Sequence, residues 1–129
     1  MNQVKRFNQV LFAVTLFALS LNSKAYAQNV ERYIQAGSDD AGTPIMLDTQ
    51  SIKGTTYKLY QPYGNGLTEL KFKVSCGEAR LFSTGFALYN SVGQVVTQDK
   101  TTEEVVPREG SAAANAMRFV CQRIGARGW

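Results

Sequence analysis

The side chains that could do chemistry in this chain are few. Its 129 residues include no histidine, so neither a Ser-His-Asp nor a Cys-His arrangement can form. Cysteine occurs only at Cys76 and Cys121, and neither a Cys-x-x-Cys nor a His-Glu-x-x-His pattern is present, which leaves no recognisable zinc site. The acids are scattered, and no two share a strand in a way that suggests paired acid–base work. Asp39 and Asp40 adjoin within QAGSDDAGTP (35–44), but the ordered ligand spacing of a calcium loop is absent, and the composition reads as a solvated turn. Ala36-Gly37 and Gly64-Asn65-Gly66 match no phosphate-binding loop. The chain is therefore read as non-catalytic, with no metal and no cofactor.

What remains is binding. Tyr57, Tyr60 and Tyr63 lead into Gly64-Asn65-Gly66, and tyrosine offers contact area together with a polar tip. Tyr57 suits a sheet core, while Tyr60 and Tyr63 fall near a hairpin end and are the candidate contact residues.

Those residues have to be positioned by a small exported domain. The first 27 residues read as a secretory signal peptide, with Lys5 and Arg6 at the start, an apolar run from Val10 to Leu21, and the small-x-small site Ala25-Tyr26-Ala27. The run is about a dozen residues, short of the ~20 that cross a bilayer as a helix. Cleavage is expected between Ala27 and Gln28, leaving residues 28–129 as one domain with no membrane span. Of the 14 basic residues, Lys5, Arg6 and Lys24 leave with the leader, which holds no acid. The remainder is close to neutral, so it lacks the electrostatic footprint of a nucleic-acid binder. The expected location is the periplasm, the cell surface or the medium.

Two cysteines in an exported chain point to a disulfide. Thr68 to Cys76 alternates cleanly, with Leu70, Phe72, Val74 and Cys76 on one face and Lys71, Lys73 and Ser75 on the other. Cys76 therefore points inward. Near the C-terminus, Ser111 is placed to cap a helix that begins Ala112-Ala113-Ala114. Ala113, Met117, Val120, Cys121 and Ile124 form its apolar stripe, with Asn115, Arg118 and Gln122 lying away from it. Cys121 also faces the core, so the sequence itself pairs Cys76 with Cys121.

The other strands are expected at Gln28–Ile34 (an edge strand or a loose arm), Ile45–Leu47 with a restart near Ile52, and Thr55–Gln61. More follow at Ala79–Leu88, Gln94–Gln98 and Val105-Val106. Gly85, inside one of them, suggests a bulge or bend. The intervening loops are too short for crossover helices, so neighbouring strands must run antiparallel. The expectation is an α+β domain in which an antiparallel sheet of five or six strands carries one C-terminal helix, packed on one face and tethered by a disulfide.

The ordered pieces Val74-Ser75-Cys76, YNSVGQVV (89–96), VVPREGS (105–111) and Phe119-Val120-Cys121, with LDTQSI (47–52) upstream, resemble the surface-adhesin protein E-like domain of bacterial exported proteins. The resemblance implies an antiparallel sheet with a disulfide-tethered C-terminal helix. It also implies an adhesin-like role toward a protein ligand, such as an extracellular-matrix or envelope protein. A small secreted inhibitor of an envelope-targeting enzyme, such as lysozyme, is the alternative.

Overall fold

Short turns decide the topology. The structure, a computed structural model, describes residues 32–129. The expected leader and the Ala27–Gln28 cleavage site lie outside the described residues. Among the described residues seven strands form one sheet: β1 (Tyr33–Ser38), β2 (Pro44–Lys53), β3 (Thr56–Tyr63), β4 (Gly66–Ser75), β5 (Arg80–Tyr89), β6 (Val95–Asp99) and β7 (Glu103–Val105). The order is β1-β2-β3-β4-β5-β6, every pairing is antiparallel, and β7 pairs with β5 alongside β6. Helix α1 (Ala112–Arg123) follows. The chain is thus the expected α+β arrangement, and among the described residues no helix is long and apolar enough to cross a membrane.

Two of the turns are built alike. Asp39 Oδ1 accepts from the amides of Ala41 and Thr43, each at 2.9 Å, and the Asp39 amide donates to the Thr43 carbonyl at 3.0 Å. Asn90 Oδ1 likewise accepts from Val92 and Gln94 at 3.1 and 2.9 Å, and the Asn90 amide donates to the Gln94 carbonyl. In both, a short polar side chain satisfies backbone amides that the sheet has released. Asp39 is thus committed to its own turn, and its second oxygen accepts from Gln61 Nε2 at 2.6 Å.

Several boundaries differ from the sequence reading. Gln35–Ser38, expected in a loop, belongs to β1, because pairing with Pro44–Met46 outweighs the turn propensity of Gly37 and Ser38. The turn expected within 48–51 is an irregularity inside β2, held by Ser51, whose hydroxyl donates to the Asp48 carbonyl (2.6 Å) and accepts from the Lys58 amide (2.9 Å). Strand β3 runs on through Pro62 to Tyr63. A proline is tolerated there because the β2 ladder ends at Tyr60, so a missing amide on that side breaks no bond.

Gly85 does mark a bulge: Phe72 pairs with Ser83 and Lys71 with Gly85, leaving Thr84 as the extra residue. Its φ is 148°, and a Cβ there would overlap the Asp99 carbonyl oxygen. Only glycine lets the chain pass from β6 to β7 so close to β5.

The core lies between α1 and one sheet face. Leu47, Tyr57, Leu59, Phe72, Val74 and Leu81 meet Ala116, Met117, Val120 and Cys121. Cys76 and Cys121 are bonded, with Cα atoms 5.7 Å apart. The Ser111 hydroxyl accepts from the Ala114 amide at 3.2 Å, as a cap should. The stripe is rotated from the expected one. Ala112 and Ala116 are buried with Met117, Val120 and Cys121, whereas Ala113 is half-buried and Ile124, at the helix end, is exposed. Asn115 does not face away but donates from Nδ2 to the Ala36 carbonyl at 2.8 Å, tying α1 to β1. Trp129 closes the chain back onto this layer, its indole N–H donating to the Cys76 carbonyl at 2.9 Å.

Candidate binding site

Strand alternation that sends Tyr57, Leu59, Phe72 and Val74 under the helix sends their neighbours to the opposite, outer face. Register then groups them. Asp48, Lys58 and Lys71 lie side by side across β2, β3 and β4, with Tyr33 of β1 beside Asp48. The next row is Met46, Tyr60, Glu69 and Ala87.

Two carboxylates are buried on this face, Asp48 at 5% exposure and Glu69 at 6%. A buried carboxylate is tolerated only with partners. Asp48 accepts from Arg32 through Nε at 3.3 Å and Nη2 at 3.5 Å, and from the Gln50 amide at 3.0 Å. Glu69 accepts from the Tyr60 hydroxyl at 2.9 Å, and its other oxygen stands 3.8 Å from Lys71 Nζ and 4.0 Å from Lys58 Nζ. Burial, followed by the bond to Glu69, pushes the Tyr60 hydroxyl well above the usual phenol range, so it stays a donor. Tyr89 is raised by burial and by the same carboxylate. The hydrogen bond to Asp48 raises Arg32 further and keeps it charged. Arg32 lies 4.8 Å above the Tyr33 ring, which meets Tyr60 edge-on with centroids 6.4 Å apart.

A cavity of about 500 Å³ opens where the β2–β3 ladder is interrupted, with Arg32, Lys53, Lys58, Tyr60 and Lys71 among its lining residues. Its acceptors are largely occupied and its donors are in excess. Such a site can hold an electron-rich group. Among the described residues no cluster of three or more acids and cysteines could hold a metal ion.

The three tyrosines part company. Tyr57 is in the core, stacked on Phe72 at 5.6 Å. Tyr60 joins the outer-face cluster. Tyr63 pairs with Gly66 at the hairpin end, 65% exposed and of the opposite strand parity, so the structure does not bring it together with Tyr60. Sequence reading missed Arg32, Asp48, Lys58, Glu69 and Lys71. The signal was present: a two-residue turn at Gly64-Asn65 pairs Tyr63 with Gly66, and counting back places Tyr60 opposite Glu69 and Lys58 opposite Lys71.

A second surface lies at the end of the sheet. Among the described residues strand β6 pairs only with β5, and every residue from Val95 to Asp99 is exposed, with Val95 at 50% and Val96 at 65%. The run Val95-Val96-Thr97-Gln98 carries no charge and no proline, two devices that discourage pairing at an edge; the strand ends in Asp99, and its register on β5 shifts at Val96.

Compared with protein-family models, curated proteins and solved structures, the chain matches none of them.

Proposed function

We propose that this chain is a non-catalytic, exported binding module, periplasmic, cell-surface or secreted, that contacts a protein partner. The observation carrying this reading is the open β6 edge. Strand groups with no partner among the described residues, beside exposed Val95 and Val96, suit an extended segment of another protein added as a further strand. The surface-adhesin-like resemblance points the same way, and the Cys76–Cys121 disulfide is compatible with an exported protein.

The test compares the wild-type domain with a Val95→Lys/Val96→Lys variant as baits for envelope and host-matrix extracts, followed by a binary affinity measurement with each purified candidate. Because both side chains are exposed, the variant should keep its melting temperature. A partner that binds the wild type and is lost from the variant supports the reading. A partner held equally by both removes the edge from it, and a wild-type dimer dispersed by the variant would replace the partner with a second copy.

The inhibitor reading rests on Tyr63, exposed at the β3–β4 hairpin end. Titrating lysozyme with the wild type and with Tyr63→Ala decides it. Inhibition lost in the variant favours an inhibitor, and no inhibition by the wild type removes that reading.

A further inference from the structure

We infer that the outer-face cavity is a binding site for a small molecule bearing a dianionic oxyanion group. This goes beyond the partner reading, because the cavity and the β6 edge are separate surfaces and either can act without the other.

The argument begins with charge. Arg32, Lys53, Lys58 and Lys71 line the cavity. The carboxylates that answer them are Asp48 and Glu69, so four cations face two anions. Asp48 is taken by Arg32 and the Gln50 amide. Glu69 gives one oxygen to Tyr60 and shares the other between two lysines at 3.8 and 4.0 Å, the long end of an ion pair. Lys53 is exposed and has no ion pair among the described residues. The unanswered charge of about two is what a dianion neutralises.

Geometry supports the same conclusion. Lys58 and Lys71 stand directly opposite each other across β3 and β4, an arrangement of like charges that disfavours a sheet. Glu69 answers that repulsion with a single oxygen at 3.8 and 4.0 Å; an oxyanion between the two ammonium groups offsets the rest, and Lys53 lines the same cavity. Ser51 ties β2 to β3 across the ladder's irregularity through the Asp48 carbonyl and the Lys58 amide, and it lines the cavity beside Lys58. Gln50, Thr56 and Thr84 add polar lining, so a cavity of about 500 Å³ has room for a polar body beyond the anionic group.

A phosphate monoester and a dicarboxylate share this chemistry, and two probes separate them. The oxidised, purified chain is titrated with inorganic phosphate and, separately, with succinate, up to about 10 mM at constant ionic strength in chloride, and followed by amide NMR. The expected result is saturable shifts centred on Lys53, Lys58 and Lys71 with at least one probe. Lys58→Gln and Lys71→Gln should each weaken binding about tenfold. Lys53→Gln, whose exposed and unpaired side chain leaves the fold intact, should weaken it severalfold. Lys100→Gln, a residue that does not line the cavity, should leave it unchanged. Saturation with only one probe identifies the source of the charge. Shifts that never saturate, that are weakened equally by Lys100→Gln, or that are absent with both probes overturn the inference. None of these outcomes bears on the β6 edge.

Discussion

Removing the disulfide is the sharpest perturbation of the scaffold. Cys76 and Cys121 are 45 residues apart in sequence, and the bond closes a long loop that spans β5, β6, β7 and most of α1. Loop-closure entropy for that length gives about 4 kcal/mol of stabilisation. Packing and one hydrogen bond also hold α1. Its buried face contains two alanines, Met117 and Val120 besides the cysteine, and Asn115 adds one bond to β1. A Cys76→Ala/Cys121→Ala variant should therefore lose roughly 3–4 kcal/mol, which for a domain of this size is a fall of roughly 12–30 °C in Tm. The wild type under reductant should behave in the same way. The readout is thermal unfolding by circular dichroism, paired with the fluorescence of Trp129, the single tryptophan, whose indole is bonded to the Cys76 carbonyl. A Tm within a few degrees of the oxidised protein, with unchanged tryptophan emission, would show that packing alone seats the helix and would refute the reasoning.

Other perturbations address single features. The Tyr57 hydroxyl is buried with no hydrogen-bond partner among the described residues, so Tyr57→Phe should stabilise the fold by about 1 kcal/mol in chemical denaturation. Burial also raises the Tyr57 pKa, so stability is fully present below the unfolded value near pH 10 and is lost as pH rises toward the folded one. The same variant should therefore flatten the alkaline limb of the stability profile. Gly85→Ala should cost roughly 1–3 kcal/mol from backbone conformation alone, more with the overlap at Asp99, read as a lower denaturation midpoint. Glu104 accepts from Arg80 Nη2 at 2.7 Å, which holds its carboxyl below the usual range. Its contribution is present above the unfolded value near pH 4.3 and is lost as pH falls through the folded one; carboxyl NMR titration should show Glu104 returning to the ordinary range in Arg80→Gln.

The fold was largely legible because its strongest signals are local. The alternation in Thr68–Cys76, the cap at Ser111 and the alanine-rich start of the helix each follow from neighbouring residues, and together they aim both cysteines inward. Where reading failed, a longer-range interaction won. Gly37 and Ser38 are paired because β2 returns beside them, and Asn115 turns inward because the Ala36 carbonyl is there to meet it. The candidate site was much less legible. Asp48 and Glu69 carry no local sign of burial: of the side chains that partner them only Lys71 stands near in sequence, while Arg32, Tyr60 and Lys58 come from elsewhere in the chain. Only the register of three strands assembles them. Tyr60 was found for the contact area of its ring, but in the structure its hydroxyl also serves a buried carboxylate.

The binding reading stands on the β6 edge, and hydrogen exchange at its backbone tests that most directly. Amides from Val95 to Asp99 are to be compared in the free domain and in the complex with a partner recovered by the wild-type bait. Strand addition predicts strong new protection in that segment on binding, with α1 unchanged. Protection elsewhere, with β6 exchanging as in the free domain, would contradict it.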